Sequence, residues 1–91
     1  MQKIQVHIHE KGGVYLYRVG ADGKVVERVT LDRIRAVGLR CVLVRAAAAH
    51  EIVCIHIFDP PLDIKPEDAI VLARMVAICQ GNLAAEEEVI Q

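Results

Sequence analysis

The chain has 91 residues, 54% hydrophobic and 25% charged, with a net charge of −1. This balance excludes a disordered chain and a second core, and it argues against a dedicated nucleic-acid binder, which is usually strongly basic. No apolar run reaches the ~20 residues that span a bilayer, and the alternating N-terminus is unlike a signal peptide, so a soluble cytoplasmic protein with no membrane partner is expected.

Lys3–His9 alternates strictly, with Ile4, Val6 and Ile8 on one side and Gln5, His7 and His9 on the other. That is the pattern of a half-buried strand. Gly12-Gly13 permits a turn, and Val14–Val19 and Val25–Leu31 flank Asp22-Gly23, a hairpin signal. A two-residue turn at Asp22-Gly23 sets Arg18 opposite Glu27, Leu16 opposite Val29, and Tyr17 opposite Arg28. These pairings bring together an ion pair, an apolar pair and a cation–π pair. Either plausible turn at Gly12-Gly13 keeps the same face parity, so one face gathers Ile4, Val6, Ile8, Tyr15, Tyr17, Val19 and Val26 as the expected core. The opposite face holds Val14, Leu16, Val25, Val29 and Leu31 beside Gln5, His7, His9, Arg18 and Glu27. Its mixed character resembles an interface.

Thr30 is placed to cap a short helix over Leu31–Val37 that ends at Gly38. The stretch 39–49 fits two periods. Cys41-Val42-Leu43-Val44 reads as a buried strand, whereas Leu39, Val42, Leu43, Ala46 and Ala47 fit helical spacing. We favour a hairpin with Ile52–Phe58 through a loop at Ala46–His50. Asp59-Pro60-Pro61 then forms an extended linker. Pro66, Glu67 and Asp68 open a long helix that stops at Gly81-Asn82.

The expected fold is therefore α+β. One domain over residues 1–82 holds an antiparallel sheet of about five strands in the order β-β-β-α-β-β-α, with the C-terminal helix packed on one face. Residues 83–91 form an acidic tail. Cys41, Cys54 and Cys79 lie in apolar runs with no CxxC spacing and read as reduced, buried thiols. The lack of serine and tryptophan and the single asparagine, Asn82, give a faint thermophilic flavour.

The feature with most bearing on function is the segment Ala69–Cys79, which is apolar around its circumference with Arg74 its lone charge. Ile70, Val71 and Ile78 flank the narrow polar line through Glu67 and Arg74, and a solitary small domain has nothing to cover them. A homo-oligomer, a dimer in the simplest case, is the expected outlet, with Ile70, Val71, Arg74 and Ile78 at its interface and, next, Leu16, Val29 and Leu31 of the mixed sheet face. A separate protein partner would serve the same surface. The leading reading is a non-enzymatic interaction or regulatory module with no cofactor. An alternative is RNA or polyanion binding through the basic 24–45 segment, where Lys24, Arg28, Arg33, Arg35, Arg40 and Arg45 face only Glu27 and Asp32. Arg33, Arg35 and Arg40 are its candidate residues. A second alternative is a transition-metal site at His7 and His9, extended by Cys54 and His56 if their strands are neighbours. Catalytic groups are poorly provided: there is no serine nucleophile, no phosphate loop in Gly20–Lys24, and no paired carboxylates.

Overall fold

The computed structural model describes residues 3–9 and 12–81, and the acidic tail expected at 83–91 lies outside them. Its elements are β1 (Lys3–Ile8), β2 (Val14–Val19), β3 (Val25–Leu31), α1 (Arg33–Ala48), β4 (Val53–Ile55), β5 (Leu62–Ile64) and α2 (Pro66–Cys79). The fold is α+β with five antiparallel strands in the expected order. The strands divide into a β1-β2-β3 sheet and a separate β4-β5 hairpin.

The β2–β3 pairing matches the register read from the sequence: Arg18↔Glu27, Tyr17↔Arg28 and Leu16↔Val29. The turn that joins them differs. Gly20 N–H donates to the Lys24 carbonyl and Gly23 N–H to that of Gly20, with Gly23 at φ +82°. This is a three-residue loop ending in a left-handed glycine, not a two-residue turn. The odd length displaces the strands by one residue, so Val19 pairs with Val25. Val26 is then the extra residue of a bulge, and the expected register resumes at Arg18↔Glu27.

The β1–β2 connection has a larger effect. His9 N–H bonds to the Gly13 carbonyl, with Gly12 at φ +81°, and Ile8 pairs with Val14, Val6 with Leu16 and Ile4 with Arg18. Three residues separate His9 from Gly13, and an odd loop reverses the parity that an even turn gives. The expected core face is therefore corrected. Val14, Leu16 and Leu31 turn inward with Ile4, Val6 and Val29, while Tyr15 and Tyr17 turn out with His7 and His9. Ile8, expected inside, is exposed, as is Val26 on its bulge, whereas Val19 is buried as expected.

The largest correction is α1. A single 16-residue helix replaces both the short helix at Leu31–Val37 and the hairpin strand at 39–49. Asp32, not Thr30, caps it, its carboxylate accepting the Arg35 N–H at 2.8 Å. Gly38 is passed through because the inward stripe Ala36, Leu39 and Leu43 continues at helical spacing on both sides of it. Packing outweighs the roughly 1 kcal/mol that a mid-helix glycine costs. The strand expected over Ile52–Phe58 shrinks to three residues, leaving Ile52 and Cys54 exposed.

α2 begins at Pro66 with Glu67 and Asp68 in its first turn, as its sequence reads, and turns Ala69, Leu72, Ala73 and Val76 inward. The two helices pack against one another and cover the inner sheet face, with Phe58, Ile55 and Ile64 closing the core from the hairpin side. Leu16, Leu43 and Phe58 are completely buried, each contributing about 2–3 kcal/mol of transfer free energy. Gln80, just beyond α2, ties the end of that helix to the middle of α1 and to the β1–β2 connection. Its side chain accepts from the Arg40 guanidinium at 3.0 Å and donates to the Gly12 carbonyl at 2.8 Å.

Candidate functional site

Three surfaces carry the residues of interest. The first is the outer side of the helix layer. Ile70, Val71, Arg74 and Ile78 are all exposed along α2, and Glu67 continues their line at its N-terminal end. The neighbouring helix carries a feature absent from the sequence reading: Ile34, Val37, Cys41, Val44 and Ala48 of α1 are exposed at three- and four-residue spacing, Ile34 with 82% of its surface in contact with solvent. That spacing is the seam of a helix that packs against another helix. The signal was legible once 34–48 is read as one helix, and the stop assigned to Gly38 concealed it. Leu16 and Leu31, expected at an interface on the mixed sheet face, are instead committed to the chain's own core, and Val29 is half-buried beside them. The turn parity that brought the tyrosines out took these residues in.

The second surface is the open face of the three-stranded sheet, opposite the helices. His7 packs edge-on to Tyr17 with ring centroids 4.7 Å apart, His9 lies 4.4 Å from Tyr15, and the two tyrosine rings are nearly parallel at 6.3 Å. The Arg28 guanidinium stands 5.3 Å over Tyr15, diagonal to its strand partner Tyr17, so the cation–π pair exists with a different ring from the one expected. Gln5, His7, Arg28 and Thr30 are exposed around the half-buried rings.

The third is a groove of about 500 Å³ between β3, α1 and the end of β4. Its walls are mostly aliphatic, and its only titratable side chains are Arg35 and His56. No thiol or carboxylate lines it, so His56 has no acidic partner there.

The basic residues read as an anion site are not brought together. Arg33 and Arg35 are exposed on different sides of the first turn of α1, and Arg40 is half-buried against Gln80. The metal constellation is also not formed. His7 lies on β1 and His9 just past its end, whereas Cys54 and His56 belong to the separate hairpin region, and among the described residues no three His, Cys, Asp or Glu side chains gather in metal-binding geometry. The thiols are corrected too: Cys41 and Cys54 are exposed and Cys79 is half-buried. Desolvation raises the Cys54 thiol above its ordinary value, and the Asp63 carboxylate across the hairpin accepts its hydrogen bond and repels a thiolate, raising it further. Burial raises Cys79, whose Sγ donates to the Val6 carbonyl at 3.6 Å. Neither is poised as a nucleophile.

Among the described residues Arg18 is the buried charge, with 4% of its surface exposed on the inner sheet face. Its guanidinium meets Glu27 at 3.1 Å and donates to the Asp59 carbonyl at 2.9 Å, while Glu27 accepts the Asp59 N–H at 3.1 Å. This network fastens the Asp59-Pro60 turn to the sheet and is structural.

Comparison with protein-family models, with curated proteins and with solved structures returns no match for the chain. Among the described residues no helix is long and apolar enough to cross a membrane. The fold and its surfaces define a small α+β protein with an unpaired apolar helix layer on one side and an aromatic, cationic sheet face on the other.

Proposed function

We propose that the protein is a non-enzymatic, homo-oligomeric interaction module of the cytoplasm that assembles through its helix layer. The observation that carries this reading is the line Glu67, Ile70, Val71, Arg74 along α2. Glu67 and Arg74 lie two turns apart on one face, separated by about 10 Å along the axis, too far to pair with each other. No ion pair within the described residues engages either of them. A two-fold axis passing between residues 70 and 71 sets a second α2 antiparallel to the first. Glu67 then meets Arg74 of the other copy twice over, and Ile70 meets Val71 across the axis. Such an isologous contact is self-complementary in both charge and shape. The Ile34–Ala48 line of α1, in the same layer, widens it toward the ~1,000 Å² that a specific interface needs. The exposed thiols Cys41 and Cys54 fit a reducing compartment.

Charge reversal tests the pairing. Glu67→Arg and Arg74→Glu each place like charges in contact and should convert the dimer to a 10 kDa monomer in sedimentation velocity, and the double variant should restore it. A wild-type protein that sediments as a monomer at 100 μM contradicts the proposal, as does a double variant no better associated than the singles.

A further inference from the structure

We propose that the open face of the β1-β2-β3 sheet is a binding platform for single-stranded RNA, built from Tyr15, Tyr17, His7, His9 and Arg28. This goes beyond the assembly reading and uses the opposite side of the molecule.

The chain contains two tyrosines, one phenylalanine and no tryptophan. Phe58 is buried in the core, and both tyrosines stand on the outer sheet face, together with two of the four histidines. A soluble sheet face left to water is ordinarily polar. Here four rings form one connected cluster across two strands, with a guanidinium from the third laid over it. Rings and guanidinium planes are the groups on which unpaired bases stack.

Spacing selects the single strand. Tyr15 and Tyr17 are 6.3 Å apart, nearly twice the ~3.4 Å rise per nucleotide of a stacked duplex strand. One base per ring is accommodated only when neighbouring bases are drawn apart, as in an extended single strand. Charge agrees with this. Among the described residues of this face, Gln5, His7, His9, Tyr15, Tyr17, Arg28 and Thr30, none is acidic, whereas Glu27 points to the inner side and is bound to Arg18. The exposed Arg28 is thus free of a competing carboxylate there and meets a phosphate or a base plane. Gln5 and Thr30 place amide and hydroxyl groups beside the rings, suited to a ribose 2′-hydroxyl. The near-zero net charge sets the expected strength: weak binding that rests on stacking more than on counterion release.

The test is fluorescence anisotropy of the full chain with a labelled 12-nucleotide oligouridine, the matching oligodeoxythymidine and a 12-base-pair RNA duplex, at 50 and 200 mM salt. Binding of the single-stranded RNA in preference to the other two is expected. Tyr17→Leu and Tyr15→Leu should each weaken it about tenfold, as should Arg28→Gln, while Tyr17→Phe retains it. Circular dichroism establishes that the variants are folded. The Arg74→Glu chain should still bind, which separates this site from the assembly surface. No binding at 50 mM salt, equal affinity for the duplex or the DNA, or indifference to all three stacking substitutions overturns the proposal.

Discussion

Arg18 shows how one residue decides a local structure. A guanidinium on the inner face of a sheet is costly unless it is paired, and here Glu27 and the Asp59 carbonyl are among its partners. Arg18→Met keeps much of the apolar length but strips Glu27 of its cation. We expect a loss of about 3 kcal/mol in chemical denaturation, and unchanged stability contradicts the network. Cys54 makes the complementary point: exposure does not confer reactivity. Its raised pKa delays thiolate formation, so alkylation by iodoacetamide should rise at a higher pH than for an ordinary cysteine. Asp63→Asn removes the repelling charge and should shift that profile toward lower pH. A profile unmoved by the substitution denies Asp63 its role.

At the level of elements, the sequence was legible wherever pattern and turn chemistry agreed. The three N-terminal strands, the Arg18↔Glu27 register and the Pro66 start of α2 all follow from alternation, cross-strand pairing and capping. The misreadings were of two physical kinds. Residues 39–49 satisfy both a strand and a helix period, and Gly38 tipped the reading toward a break. The pairing of Asp32 with the Arg35 N–H, together with inward positions at 36, 39 and 43, was the signal for one helix. Gly38 itself meets nothing within 4 Å of where a Cβ would stand. Gly38→Ala should therefore stabilise the protein by about 1 kcal/mol, read as a higher denaturation midpoint, and a destabilised variant rejects this account of α1. The second kind is parity. One residue more or less in a connection leaves a strand's pattern intact yet exchanges its faces, so no amount of alternation within β1 or β2 identifies the inner side.

For the whole molecule, that exchange of faces carried most of the candidate site. It moved Leu16 and Leu31 from an expected surface to the core, and it brought Tyr15 and Tyr17 from an expected core to the surface. The apolar excess of α2 was legible in the sequence, whereas the matching line on α1 required the helix to be known. Helices on one side and rings on the other give the molecule two unlike sides. If the helix layers of two copies meet as charge reversal at Glu67 and Arg74 tests, the two ring faces point away from each other. A dimer then presents two equivalent platforms, and a ligand strand long enough to reach both gains avidity without any new contact.

The bulge at Val26 has its own consequence. β3 lies at the margin of its sheet, paired on one side only, and its sequence is rich in valine. An even row of unsatisfied amides along such a strand is a template onto which foreign strands add, the first step toward fibrils. One surplus residue breaks the even repeat and steepens the local twist, so an incoming chain finds no straight ladder to extend. The irregularity that restores the hairpin's pairing thus also blunts the margin against runaway self-addition.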